Sequence, residues 1–83
     1  MAIIGTVGEF NIERKDDFES YEERMTMFFE ANGITEVGKQ KAVFLSMCGL
    51  PLYQLMKSLT APAKPTEKTY AELVTLVKTY LNP

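Results

Sequence analysis

The chain lacks histidine and has a single cysteine, Cys48, among its 83 residues. Zinc sites draw on several Cys and His ligands, and a catalytic cysteine needs a neighbouring base to activate it. The sequence therefore excludes a zinc site and a disulfide within the chain, and it predicts that Cys48 is an inert thiol buried in an apolar helix. Because no nucleophile with a base is visible, we expect neither enzymatic activity nor a cofactor.

Clustered positive charge and long apolar runs are also missing. The nine basic residues are scattered, and 11 acidic residues bring the net charge to -2 and the pI to about 5.1. Because phosphate binding needs clustered Lys and Arg, we expect no direct contact of this domain with nucleic acid. No run approaches the length of a membrane span, and residues 1–7 lack the pattern of a signal peptide. We expect no membrane partner and an intracellular, cytoplasmic location.

The residues that are present predict one small, all-α domain over residues 1–83. Hydrophobic residues make up 46% of the chain and charged residues 24%, as in ordinary globular proteins. Glycines and β-branched residues near the start predict an extended arm over residues 1–12, and the periodicity predicts a helical bundle over residues 13–83. Phe10 and Ile12 are expected to anchor the arm to the core of the bundle. The bundle is expected to contain four main helices, at about 17–32, 36–48, 51–59 and 70–81. Further domains are expected to follow in the full-length protein.

The helix boundaries are predicted from residues that cap helices or end them. Side chains that accept from free backbone amides favour a helix start, and a left-handed glycine favours a helix end. A Thr or Asp with a Glu three residues later can form a reciprocal capping box. The expected signals are Asp16 with Glu19, Asn32 with Gly33, Thr35, Gly49 before Pro51, and Thr69 with Glu72.

Apolar residues at helical spacing define the expected core. Its predicted members are Phe18, Tyr21, Met25, Phe28, Phe29, Leu45, Leu55, Leu59, Leu73 and Val77. The stretch from residue 40 to residue 59 is the most hydrophobic, and its first helix has more apolar residues than one buried face requires. A helical wheel predicts that Ala42 and Leu45 face the core while Val43 and Met47 are surplus to it. The surplus is expected to lie under the arm or against another subunit.

The ordered set of these features resembles the amino-terminal capsid domain of Gag proteins from gypsy-type retrotransposons. The similarity covers nearly the whole chain, from about Gly8 to Pro83. Such proteins often have a Trp near the position of Tyr21, whereas this sequence contains no Trp. The residues that carry the similarity are Phe10, Asp17-Phe18, Tyr21, Phe28 to Ile34, Lys41 to Leu45, Cys48-Gly49, Tyr53, Thr69-Tyr70, Glu72-Leu73 and Leu81 to Pro83.

The resemblance implies a structural role in a capsid or virus-like particle. Gag capsid domains are shell subunits whose partners are further Gag capsid subunits, contacted chiefly through the first helices. The outward faces of the first two helices are thus the expected assembly interface, and closed symmetry multiplies weak contacts there. The candidate interface residues are Met27, Ala31, Val43 and Met47.

An alternative role is implied by Arc-like host proteins derived from Gag, whose corresponding domain binds short peptides in a hydrophobic groove beside an extended arm. Here such a groove would lie between the arm and the second and fourth helices, with strand addition as the mode of recognition. The candidate groove residues are Ile3, Ile4, Val7 and Phe44. The sequence alone leaves both roles open, as well as the choice between an intact element and a domesticated gene.

Overall fold

The computed structural model describes residues 5–14 and 17–82. This part of the chain forms a small bundle with no strand. Its helices are α1 (Phe18–Ala31), α2 (Val37–Met47), α3 (Leu50–Thr60) and α4 (Tyr70–Leu81), and a short 3-10 helix, Pro65–Glu67, lies between α3 and α4. The predicted all-α bundle of four main helices is confirmed, and each predicted boundary lies within one residue of the observed one.

The last helix, α4, is the element against which the others pack. It contacts α1, α2 and α3. Phe29 meets Tyr70 at the start of α4, whereas Glu22 pairs with Lys78 near its end, so α1 and α4 run antiparallel. The hydrophobic stretch from residue 40 to residue 59 forms most of α2 and α3, but α4 is the helix that contacts all three others.

Three predicted helix boundaries are made by the expected chemistry. At the end of α1, Gly33 has a φ of 64° and the Ile34 amide donates to the Phe29 carbonyl at 2.8 Å, as expected of a left-handed glycine that ends a helix. The Glu72 amide donates to Thr69 Oγ1 at 3.1 Å, and the Thr69 amide donates to Glu72 Oε1 at 2.8 Å, which completes the capping box of α4. Gly49 has a φ of 92° between α2 and α3, a conformation that side-chain-bearing residues rarely adopt. The capping box and the glycine break are therefore confirmed.

Two other predicted caps are not made. Glu36, and not Thr35, precedes α2, and no side chain caps that helix. Asp16 lies outside the described residues. Asp17 precedes α1 without a capping hydrogen bond, and its carboxylate instead pairs with Arg14 at 2.9 Å. These exposed polar groups have water as an alternative partner, so tertiary packing can place the helix ends without a side-chain cap.

Most of the predicted core is buried. Side chains that are at most 9% exposed include seven of the predicted set: Phe18, Tyr21, Met25, Phe28, Phe29, Leu73 and Val77. Leu45 and Leu55 are only partly buried and pack at the edge of the core. Leu59 is also partly exposed. The last three lie on α2 and α3, where the deepest positions are taken by other residues, notably Phe44, Leu52 and Met56.

The predicted orientation of α2 is wrong. Val43 and Cys48 are buried and Met47 packs against the core, whereas Ala42 is exposed. The prediction failed because apolar residues surround much of α2, so a helical wheel alone does not select the inward side. Contacts with α4 and with the arm select it, and they bury the side that carries Val43.

Candidate interaction surfaces

The arm lies over the junction between α2 and α3. The Phe10 amide donates to the Cys48 carbonyl at 3.1 Å, and the Tyr21 hydroxyl donates to the Gly8 carbonyl at 2.7 Å. Val7 and Phe10 are only 4% and 5% exposed. The described part of the arm, residues 5–12, contains neither helix nor strand, so its conformation depends on these contacts with the helices.

Aromatic rings anchor the arm to α1. The Phe10 ring lies 5.3 Å from the Phe18 ring in an edge-to-face arrangement and 5.4 Å from the Tyr21 ring. Ile12 packs at the border of the same cluster. Such aromatic pairs contribute about 0.5–1.5 kcal/mol beyond their burial. The prediction that Phe10 and Ile12 anchor the arm is confirmed.

Gly49 allows the arm to approach the helix junction closely. A Cβ atom at this position would lie 2.8 Å from Glu9 Oε1 and 2.9 Å from Glu9 Cβ. The Cys48 carbonyl, at the end of α2, receives the Phe10 amide as a partner from outside the helix. The junction therefore forms a surface against which the backbone of an extended segment can pack. The close approach of the Glu9 side chain to Gly49 was not predicted, because no pattern in the sequence indicates it.

Burial raises the pKa of both core tyrosines, Tyr21 and Tyr70, to about 12, and that of the Cys48 thiol to about 11. Below about pH 8 these groups keep their protons in the folded and unfolded chain alike. At higher pH the unfolded chain releases first the proton of the thiol and then those of the tyrosines, while the folded chain retains them. We therefore expect the folded state to lose stability progressively from about pH 8 to pH 12.

Urea unfolding followed by circular dichroism between pH 7 and pH 12 measures this loss as a fall in the midpoint concentration. Because Tyr70 carries one of the titrating hydroxyls, Tyr70→Phe should make the fall shallower. A midpoint that stays constant to pH 12, or an equally steep fall in Tyr70→Phe, would contradict the assignment.

The predicted peptide-groove residues do not line an open groove in the described part of the chain. Ile3 and Ile4 lie outside the described residues. Val7 is buried in the core of its own chain, and Phe44 is 1% exposed with its ring 5.3 Å from that of Tyr70. Because α2 and α4 pack directly against each other, they leave no groove between them at Phe44. Val7 and Phe44 therefore line no open groove, while the part of the prediction that rests on Ile3 and Ile4 stays a prediction.

The predicted assembly residues fall into two groups. Met27 is 57% exposed, and Ala31, one turn later on α1, is also exposed. Val43 is 8% exposed and Met47 is half-buried against the core, so neither offers the free surface that was expected of it. Of the four candidates, Met27 and Ala31 share one solvent-facing side of α1.

Acidic side chains flank Met27 on α1. Glu19, Glu22 and Glu23 line a shallow cleft with Met27 and Lys78 of α4. Lys78 Nζ lies 2.7 Å from Glu22 Oε1, and this contact raises the pKa of Lys78. Arg24 is also exposed, one turn before Met27. With two basic side chains against three glutamates, the outer face of α1 keeps a small excess of negative charge around an exposed apolar residue.

Charge is divided unevenly along the fold. Residues 5–36, which include the arm and α1, carry nine acidic and three basic side chains. Residues 37–60, which form α2 and α3, carry three lysines and no acidic side chain. Two of these lysines, Lys39 and Lys57, are exposed, whereas Lys41 Nζ donates to the Thr66 carbonyl at 2.7 Å. The arm and α1 thus carry a net negative charge, and α2 and α3 carry a net positive charge.

Two features expected of other site classes are not found. The described residues contain no group of three or more metal-ligating side chains. Among them, no helix has the length and apolar character needed to cross a membrane. Comparison of the chain with protein-family models, with curated proteins and with solved structures gave no match.

Proposed function

We propose that this domain is a shell-forming capsid domain of the Gag type, which contributes to a capsid or virus-like particle by binding further copies of itself. The observation that carries the proposal is the outer face of α1, where Met27 is exposed between glutamates. Residues 37–60 of a second copy supply the opposite charge. A head-to-tail contact would pair these unlike charges, and such a contact closes into a ring when the rotation between copies allows it.

The residues that carry the resemblance to Gag capsid domains support the same proposal. Phe10 anchors the arm, Gly49 separates α2 from α3, and Thr69 begins α4. These positions determine how the bundle is built, and they are the ones on which a shared fold depends. The exposed face of α1 is not needed for that fold, which leaves it available for contacts between copies.

Sedimentation equilibrium of the chain up to millimolar concentration tests the proposal. We expect weak self-association that decreases between about 0.01 M and about 1 M salt, since the Debye length falls from about 30 Å to about 3 Å. Met27→Glu should weaken association about tenfold or more, because it adds a charge to the apolar centre of the contact. Thr75→Glu, at an exposed position of α4, is the matched control and should associate as the wild type does.

A charge exchange gives the sharper form of the test. A variant with Glu19→Lys and Glu23→Lys, and a second variant with Lys39→Glu and Lys57→Glu, should each fail to self-associate. A mixture of the two in equal amounts should recover association, because each copy then meets an opposite charge. Electron microscopy of the associated fraction should show closed rings. A wild-type chain that stays monomeric at all salt concentrations, or a mixture no better than its components, would refute the proposal.

Binding of short peptides is the second candidate function. It is favoured by one observation, that an extended segment is held on the helix junction through its backbone at Gly8 and Phe10. Titration of isotope-labelled protein with hydrophobic and proline-rich peptides should then shift the amide resonances of residues 7–10 and of the α2–α3 junction. Unchanged resonances there would remove this candidate.

A further inference from the structure

We infer that the outer face of α1 binds the outer face of α3 in a second copy, with the two helices antiparallel and Met27 against Leu50. This inference rests on the proposed function and deepens it, because it names the surface of the partner that the α1 face contacts. The outer face of α3 is formed by four of its exposed side chains, Leu50, Gln54, Lys57 and Ser58. Since the two faces lie on different helices, one copy can bind a neighbour through each of them.

The partner of an apolar residue that is flanked by glutamates should combine an exposed apolar residue with positive charge. Among the described residues, Val37, Leu50 and Tyr80 are large, apolar and more than half exposed, as Met27 is. Only Leu50 of these three shares a helix face with an exposed lysine, because Lys57 follows it by seven residues, which is about two helical turns. The combination that the α1 face requires is therefore found on α3.

The lysines closest in sequence to the same face of the other two residues are already engaged. Lys41, one turn after Val37, is half-buried and donates to a backbone carbonyl at 2.7 Å. Lys78, two residues before Tyr80, pairs with Glu22 of α1 at 2.7 Å. The lysine on the outer face of α3, in contrast, makes no ion pair with the described residues. Its charge is available to a second copy.

The spacing of apolar and charged residues matches between the two faces. When the helices lie antiparallel with Met27 opposite Leu50, Lys57 lies opposite position 20 of α1, seven residues before Met27. Glu19 and Glu23 lie on either side of that position, at most about 5 Å away along the helix axis at 1.5 Å per residue. A lysine side chain can reach both carboxylates from there. One register thus brings together the apolar residues and the opposite charges.

Charge also selects the direction of the two helices. In a parallel arrangement with the same apolar pair, Glu19 and Glu23 would extend past the start of α3, towards Glu9, which lies against the helix break at Gly49. Like charges that meet across an interface oppose the contact. The antiparallel arrangement instead brings the same two glutamates to Lys57.

Replacement of Leu50 by Glu tests the apolar part of the contact. Leu50 is 64% exposed at the first residue of α3, where an acidic side chain favours the helix, so the fold should be retained. Sedimentation equilibrium should show self-association weakened about tenfold or more, as for Met27→Glu. Val37→Glu is the matched control, because Val37 is 71% exposed at the first residue of α2 and lies outside the contact. This control should associate as the wild type does.

Single charge variants test which lysine meets the glutamates. Lys57→Glu alone should weaken self-association about tenfold or more, and an equal mixture with the chain that carries Glu19→Lys and Glu23→Lys should recover it. Lys39→Glu, at an exposed position of α2, is the matched control. It should associate as the wild type does, and it should not recover association when it is mixed with the same partner chain.

The outcomes separate this inference from the proposed function. If Met27→Glu weakens association while Leu50→Glu and Lys57→Glu do not, the inference is wrong and the α1 face binds another surface of the second copy. A loss of association in Lys39→Glu but not in Lys57→Glu would also overturn it, in favour of α2. A wild-type chain that stays monomeric at millimolar concentration would overturn both the inference and the proposed function.

Discussion

Replacement of Leu73 by Asp is expected to unfold the domain. Leu73 is 0% exposed on α4, the helix that contacts α1, α2 and α3. An unpaired carboxylate at such a position costs several kcal/mol, or else must bind a proton in order to stay buried. Per-residue scaling puts the stability of a chain of this size at about 4–12 kcal/mol. The substitution therefore removes most or all of the free energy of folding.

Circular dichroism and one-dimensional proton spectra at pH 7 measure the effect as loss of the helical signal and of dispersed methyl resonances. Thr75→Asp, two residues along α4 and exposed, adds the same charge without burying it and is the matched control. Lowering the pH towards 4 should restore part of the helical signal of Leu73→Asp, because a neutral carboxyl group is less costly to bury. A cooperative unfolding transition close to that of Thr75→Asp would show that α4 is not the centre of the core.

Replacement of Phe10 by Ala is expected to release the arm and to cost about 3–5 kcal/mol, the usual range for truncating a buried Phe. The ring fills the space between Phe18 and Tyr21, and its loss leaves a cavity in the aromatic cluster. Without this anchor, the Tyr21 bond to the Gly8 carbonyl has little to hold it in place. The four helices should persist with reduced stability.

Two measurements separate release of the arm from general destabilisation. Urea unfolding gives the loss of stability, and amide hydrogen exchange of Phe10→Ala should show fast exchange at position 10 while the amides in the middle of α4 stay protected. Glu13→Ala, which alters an exposed side chain between the arm and α1, should leave both readouts unchanged. If position 10 keeps its slow exchange in Phe10→Ala, the backbone bonds hold the arm without the ring.

The helices could be predicted because their signals are local. The reciprocal bonds of Thr69 and Glu72 need only residues three apart in the chain, and Gly49 breaks the helix through its own backbone preference. The aromatic stripe of α1 needed only helical spacing, and Phe18, Tyr21 and Met25 are buried as expected. Each of these interactions forms within one or two turns, so neighbouring residues suffice to identify it.

The side of α2 that is buried could not be predicted in the same way. Val43 and Ala42 are adjacent in the chain, and either could face inward on a helix that is apolar around most of its circumference. Contacts from distant parts of the chain determine which side of α2 is buried. The Phe10 amide reaches Cys48 across 38 positions, and Tyr70 of α4 packs against Phe44 across 26 positions.

By itself, the sequence determined an all-α bundle, four helices with boundaries accurate to one residue, and an arm anchored at Phe10. Only the tertiary structure decided that Val7 and Val43 belong to the core, that Met27 is left outside it, and that the arm lies on the α2–α3 junction. The physical reason is that capping and periodicity are short-range properties of the chain. Burial depends on which surfaces meet, and for α2 that was decided by α4 and by the arm.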